Sequence, residues 1–241
     1  MDIKGVILAG GTGSRLMPLT KVTNKHLLAV DKKPMIYYPV EKLISASIKE
    51  ILIVTGVEHM GDVVNLLGSG SSFGCRFTYK VQDKAGGIAQ ALALAEGFAG
   101  DAGLIAILGD NIFKASLKSY LKKFSSQKKG ARVLLKKVPN PQRFGVAEIS
   151  GGRVVKITEK PKKPKTNYAV TGIYFYDRTV FDIIRKLRPS GRGELEITDV
   201  NNTYIARNQL QYDILTGWWT DAGTFESLSK ASELVVKEPP L

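Results

Sequence analysis

The segment VILAGGTGSR (residues 6–15) places Gly10, Gly11 and Gly13 directly after an apolar run, then Arg15, with Lys25 ten residues on. Glycines let a backbone approach phosphate oxygens closely and offer free N–H groups to them. A planar guanidinium can clamp a polyphosphate, and an ammonium adds a point charge. No Gly-Lys-Ser/Thr follows, so this is not a Walker A loop, and Leu16 stands where a dinucleotide fingerprint needs its third glycine. A tight turn with no ligand would also explain the glycines; Arg15 and Lys25 favour the phosphate reading.

Two aspartates have matching frames. Asp110, in LIAILGDN, sits just past a buried apolar run with Asn111 beside it, and Asp221, in GWWTDAG, lies between aromatics and a glycine. Mg²⁺ is typically held by one or two carboxylates plus substrate phosphates, and aspartates far apart in sequence can converge in a sheet. A turn aspartate capping the next helix remains the other reading of Asp110. In ITEKP (157–161), Glu159 and Lys160 could meet sugar hydroxyls and a phosphate, although by itself an adjacent Glu-Lys pair more often decorates a surface. Arg192, in SGRGELEITD, is a further cation at a helix entrance.

Strand and helix patterns alternate in the first half. Strands are expected at 4–10, 49–56, 75–82 and 103–110, and helices at 33–47, 58–67, 87–98 and 115–128. That alternation predicts an α/β fold, with a mostly parallel sheet and helices on both faces. In the second half RVLLKKV, GVAEIS, RVVKITEK and YAVTGIYFYD are short strands joined by turns, expected as antiparallel additions forming an inserted β-rich lid. Helices follow at about 178–187, at 196–208 and from Thr224. In an open α/β sheet, ligands bind beyond the carboxyl ends of the strands, where Gly10 and Asp110 would lie.

The 241 residues carry 35 Lys+Arg against 22 Asp+Glu, a net charge of +13 that suits anionic partners: nucleic acid, an acidic membrane or small phosphorylated metabolites. No RNP-like, helix-turn-helix or zinc-finger spacing supports nucleic acid. The apolar runs are too short to span a bilayer. Cys75, the single cysteine, can form no intrachain disulfide and reads as a packed strand residue. With no signal peptide visible, a cytoplasmic protein is expected. His26 and His59 lack metal-ligand spacing, and no Gly-x-Ser-x-Gly elbow is present.

Eight segments in order, AGGTGSRLMPLTKVTNKHLL, KPMIYYPVEKL, QDKAGGIAQAL, LGDNIF, RFGVAEI, EKPKKPKTNYAVTGIYFYD, RGELEITDVN and GWWTDAGT, cover almost the whole chain. Together they resemble the sugar-nucleotide pyrophosphorylases, most nearly the thymidylyltransferase branch in a short form. The resemblance implies one Rossmann-like nucleotidyltransferase domain over 1–241, with about 1–130 holding the nucleotide and about 131–241 forming the sugar-binding part and closing helix. It implies dTTP and glucose 1-phosphate as substrates, dTDP-glucose and pyrophosphate as products, and Mg²⁺ as cofactor. This is nucleotide-sugar biosynthesis of the kind that feeds dTDP-rhamnose formation. Arg15 and Lys25 would be catalytic, and Leu8, Gly10, Gly11, Gln82 and Gly87 would bind the nucleotide. Asn111, Gly145, Glu159, Lys160, Val170, Tyr174 and Arg192 would bind the sugar phosphate, and Asp110 and Asp221 the metal.

The family forms oligomers, so a homodimer or homotetramer is expected, with no nucleic-acid or membrane partner. The chain departs from the pattern at Ala29, where the family usually has proline, and at Gly86, where long forms have aspartate. A UTP-preferring uridylyltransferase making UDP-glucose and a nucleotide-sugar sensor without turnover are the alternatives. Arg15, Lys25, Asp110 and Asp221 together argue against a pure binder.

Overall fold

The apolar run after Asp2 becomes the second-from-centre strand of a sheet buried on both faces, and the chain winds outward from it. A computed structural model describes residues 2–127 and 129–240. Met1, Lys128 and Leu241 lie outside the described residues, Lys128 being the last position of the expected 115–128 helix. The first half comprises β1 (Ile3–Ala9), β2 (Ala29–Val30), β3 (Lys33–Pro34), α1 (Tyr37–Ser45), β4 (Glu50–Gly56), α2 (Met60–Leu67), β5 (Arg76–Gln82), α3 (Ile88–Ala93), α4 (Glu96–Ala99), β6 (Gly103–Leu108), β7 (Asn111–Phe113) and α5 (Lys118–Gln127). The second comprises β8 (Ala131–Lys137), β9 (Gly145–Ser150), β10 (Arg153–Glu159), β11 (Tyr168–Tyr176), α6 (Thr179–Ile184), α7 (Ile197–Ala206), β12 (Leu210–Ile214), β13 (Trp219–Asp221) and α8 (Phe225–Lys237).

The main path of the sheet runs β10-β9-β11-β6-β1-β4-β5, and β8 pairs with β11 and β12. β6, β1, β4 and β5 are mutually parallel. Successive residues of β1 feed opposite cores: Val6 and Leu8 join one cluster with α3, α6 and α7, while Ile7 and Ala9 join another with α1, α2 and α5. That alternation is why the strand reads as a continuous apolar run. The order also makes β1 and β6 neighbours although their connections leave in opposite directions, which opens a crevice at their carboxyl ends.

The four strands β8–β11 pair antiparallel, as expected, and are continuous with the main sheet, while β12 adds to β8 in parallel. The last four residues of β11 pair with β6, while Ala169 faces Val146 of β9. The change of partner coincides with a register shift against β8 between Val170 and Tyr174. Such a bulge re-aims a strand, and here it swings β9 and β10 out as a wall over the crevice. Gly172 stands at the crossing: a Cβ there would lie 2.6 Å from Asn111 Nδ2, so only glycine leaves room.

Two helices differ from expectation. The 33–47 helix starts at Tyr37, because Lys33–Pro34 pairs back on Ala29–Val30 in a small hairpin. The 87–98 helix breaks into α3 and α4, since Leu94 and Ala95 tighten to i−3 hydrogen bonds. Among the described residues no helix is long and apolar enough to cross a membrane.

Candidate active site

Between the β1/β6 crevice and the β9–β10 wall lies a cleft of about 400 Å³, a size that suits small-molecule ligands. All the candidate residues read from the sequence line it: Arg15, Lys25, Leu8, Gly10, Gly11, Gln82, Gly87, Asn111, Gly145, Glu159, Lys160, Val170, Tyr174, Arg192, Asp110 and Asp221.

At one end the glycine loop leaves β1. Gly13 takes φ +66°, and its carbonyl accepts from Thr20 Oγ1 at 2.8 Å, so the loop folds back on itself. A single 3-10 turn then buries Leu16, leaving its neighbour Arg15 beside the cleft. A Cβ on Gly223 would come within 2.9 Å of Arg15 Nη2 and 3.5 Å of Asp110 Oδ2, so the glycine makes space for both. Lys25 opens a further 3-10 turn, the third in this stretch, capped by Asn24, whose side-chain oxygen accepts from His26 N at 2.9 Å. Asn24 Nδ2 also donates to Ala9 O at 3.4 Å, which ties this turn to the end of β1.

The turn brings Lys25 Nζ to 2.6 Å from Asp110 Oδ2, with both side chains nearly buried. Burial alone would raise the Asp110 carboxyl, but the charges of Lys25 and its hydrogen bond, with help from Asn111, hold it well below the usual carboxylate range. His26 is buried beneath, donating Nδ1–H to Asn24 Oδ1 at 2.7 Å. Burial, then the Lys25 charge, lowers its pKa to about 3, so it is a neutral packing residue.

Asp221 reaches this end through a ladder. β13 pairs antiparallel with β7, setting Asp221 opposite Asn111, and Ala222 N donates to Asp110 O at 2.8 Å. Asn111 stitches the junction: its Nδ2 donates to Asp110 Oδ1 at 2.9 Å, and its Oδ1 accepts from Gly172 N at 2.9 Å and Trp219 Nε1 at 2.7 Å. Burial and the nearby Asp110 raise the Asp221 pKa to about 6, against the pull of Arg143 and Arg15. Two carboxylates that repel each other in one pocket are a donor set that fits a hard divalent cation. Among the described residues no cluster of three or more acidic, histidine or cysteine side chains forms a fuller cage, so substrate oxygens would have to complete the shell.

On the adjoining wall Gln82, at the end of β5, donates from Nε2 to Gly87 O at 3.2 Å and Gln90 Oε1 at 2.8 Å. Gly87 holds φ +99°, and a Cβ on it would lie 2.5 Å from Leu195 O. At the far end Glu159 accepts from Thr198 Oγ1 at 2.6 Å, and Gly145 lies against both, with room for no larger residue without displacement. Lys160, at φ +41°, places Nζ 3.6 Å from Glu159 Oε1. Val170 and Tyr174 are buried beneath the floor on β11.

The structure adds residues the sequence reading did not single out. Arg143 approaches Asp221 at 3.5 Å from a 3-10 turn, and Phe144 packs edge-on against Trp219. Thr198, Glu196 and Asn201 line the cleft from α7 and its start. Each lies inside a quoted segment, RFGVAEI, GWWTDAGT or RGELEITDVN, but nothing in their types alone marks them.

The chain matches the nucleotidyl transferase family over residues 4–238. A glucose-1-phosphate thymidylyltransferase of Neisseria meningitidis is 46% identical over 237 residues, 97% of this chain and 82% of that protein. One of Mycolicibacterium smegmatis is 44% identical over the same shares. A Bacillus anthracis crystal structure, described as a candidate glucose-1-phosphate thymidylyltransferase with bound sucrose, superposes with a TM-score of 0.93 at 60% identity, covering 96% of this chain and 94% of that one. A UDP-glucose pyrophosphorylase bound to UDP-glucose superposes at 0.87 with 26% identity, covering 98% and 99%.

Proposed function

The chain belongs to the nucleotidyl transferase family, and from that premise we propose that it joins dTTP to glucose 1-phosphate, forming dTDP-glucose and releasing pyrophosphate. The observation that carries this is a single cleft with a buried cation–carboxylate group at one end and a glutamate, lysine and arginine group at the other. The relatives named for this reaction support the same substrates.

The sugar phosphate is already an oxyanion, so the reaction needs no protein nucleophile. Its oxygen attacks the α-phosphorus of dTTP in line, and the bond to the β-phosphate oxygen breaks. Catalysis is then positioning and charge neutralisation. Gly10 and Gly11 cradle the triphosphate, Arg15 takes the pyrophosphate that leaves, and Lys25 meets the reacting phosphate. Leu8, Gln82 and Gly87 bound the pyrimidine side, where Gln82, its Nε2 held by Gly87 and Gln90, offers Oε1 as an acceptor. Gly145, Glu159, Val170, Tyr174 and Asn111 form the sugar pocket, and Lys160 and Arg192 grip the 1-phosphate. Asp110 and Asp221 would hold Mg²⁺, which offsets phosphate charge when bound. In this reading the part up to about residue 130 serves the nucleotide and the rest the sugar, and the working form is a homodimer or homotetramer.

The likeness to a UDP-glucose pyrophosphorylase favours one second reading, a UTP-preferring enzyme. Thymine and uracil differ by one methyl, worth only about 1–3 kcal/mol of discrimination. Pyrophosphate release from glucose 1-phosphate and Mg²⁺, with dTTP and UTP offered in parallel, tests both. Faster release with dTTP is expected. Preference for UTP would replace the nucleotide, and no release with either would overturn the transferase reading.

A further inference from the structure

The turn that carries Arg192 is built more tightly than a surface loop requires. Arg192 Nη2 lies 2.9 Å from both Glu196 carboxylate oxygens, and Nε donates to Oε1 at 3.2 Å. Ser190 joins the pair from below: its hydroxyl donates to Glu196 Oε1 at 2.7 Å and accepts from Arg192 N at 3.2 Å. The Glu196 side chain is 12% exposed against 45% for Arg192. The turn is closed by Ser190 N to Glu194 O and by Gly193 N to Ser190 O, both 2.8 Å. It is fastened to the loop before α3 by Leu195 N to Gly86 O at 2.8 Å and Ala89 N to Leu195 O at 3.2 Å.

The remaining carboxylates near Arg192, Glu194 at 3.4 Å and Glu159 at 3.9 Å, also approach Nη2. Among the described residues the Nη1 nitrogen makes no hydrogen bond, so one edge of the fork is committed and the other is open. A planar guanidinium fixed along one edge has lost its rotamer freedom before a ligand arrives. We propose that Glu196, itself held by Ser190, is a positioning residue that sets the open edge of Arg192 for the sugar 1-phosphate. The proposal rests on the reading above that Arg192 meets that phosphate. The opposite role, a latch the phosphate must displace, would suit a solvent-exposed carboxylate free to swing, and Glu196 is neither.

The test is initial rates with glucose 1-phosphate varied at saturating dTTP, and the reverse. Glu196→Gln keeps the shape and loses the charge; it should raise KM for the sugar phosphate about tenfold, because a charge-assisted fork is lost. Ser190→Ala should raise it about threefold, through one lost hydrogen bond. KM for dTTP should hold in both. In an Arg192→Ala background, Glu196→Gln should add nothing, which a structural role would not produce. A lowered KM in Glu196→Gln would establish the latch instead. An equal penalty with and without Arg192 would also overturn the proposal. An Arg192→Ala enzyme with unchanged KM sinks the underlying reading; a damaged Arg192→Ala beside an undamaged Glu196→Gln sinks only the positioning. Should Glu196→Gln fail to fold, Ser190→Ala in both backgrounds carries the same comparison.

Discussion

At the phosphate end of the cleft, Lys25 and Asp110 meet at 2.6 Å with side chains 13% and 11% exposed. At the sugar end, Lys160 and Arg192 stand among Glu159, Glu194 and Glu196 with side chains 50% and 45% exposed. Both ends face anionic ligands, yet one uses a few buried charges and the other several compensated, solvated ones. Water screens the exposed members of the second set, Lys160 above all, so they add little to stability; Glu196, at 12% exposure, is the exception. Water cannot screen the first set, so removing either partner strands a charge. The cleft therefore has a rigid end, to which the proposed reading gives the bond change, and a more tunable end, to which it gives the sugar.

Asp110→Asn should have the largest effect. It leaves Lys25 buried without its carboxylate and removes one of two candidate metal ligands. Turnover should fall about 10³-fold, and denaturant unfolding should show a loss of about 3 kcal/mol. A variant with wild-type turnover and midpoint would erase the contrast between the ends.

Lys160→Ala should be milder and specific. KM for glucose 1-phosphate should rise about tenfold, while unfolding stability shifts by less than about 0.5 kcal/mol. A stability loss matching that of Asp110→Asn would mean that the sugar end is as rigid as the other.

Confined to alkaline pH, and without effect on turnover near neutrality, the buried charge behind the rigid end should be visible in stability. Lys42 on α1 is 2% exposed and donates to Lys114 O and Ala115 O, just past β7. Burial lowers its pKa to about 8 from 10.5, against the attraction of Glu41. The folded value lies below the unfolded one, so between pH 8 and 10.5 the unfolded chain binds more protons. The Lys42 contribution to stability should therefore rise with pH across that window, by up to about 3 kcal/mol, against the fall contributed by buried Tyr38, Tyr174, Tyr176 and Tyr204, so the wild-type slope should exceed that of Lys42→Met. Equal slopes in the two proteins would remove Lys42 from the set of strained charges.

Much of this was legible in the chain. β1, β4 and β6 announce themselves because strands covered on both faces need unbroken apolar runs, and the glycine loop and its cations follow β1 directly. Gly10, Asp110, Asp221 and Arg192 could be collected from type and place, as glycine after a strand, aspartate at a strand end and arginine between glycines, whereas Leu8, Gln82, Gly87, Gly145, Val170 and Tyr174 came only with the family resemblance. Arg143, Glu196 and Thr198 escaped because an arginine, a glutamate and a threonine are ordinary residues wherever they occur. Their cleft positions depend on a 3-10 turn and on how α7 enters. The hairpin at 29–34 escaped because four residues carry no period that separates a strand from a helix start.

The sequence by itself determined the alternating architecture, the glycine loop after β1 and the excess of positive charge, since these depend on local periodicity and residue type. Only the tertiary structure decided that Asp221 stands beside Asp110, that Lys25 is neutralised by an aspartate rather than by solvent, and that Arg192 is held along one edge. Those facts rest on a β7–β13 ladder, an Asn24-capped turn tied to the end of β1 and a turn fastened to a distant loop. Contacts between residues far apart in the chain are settled by packing and by the pairing of buried backbone groups, and neither is written in any short stretch of the sequence.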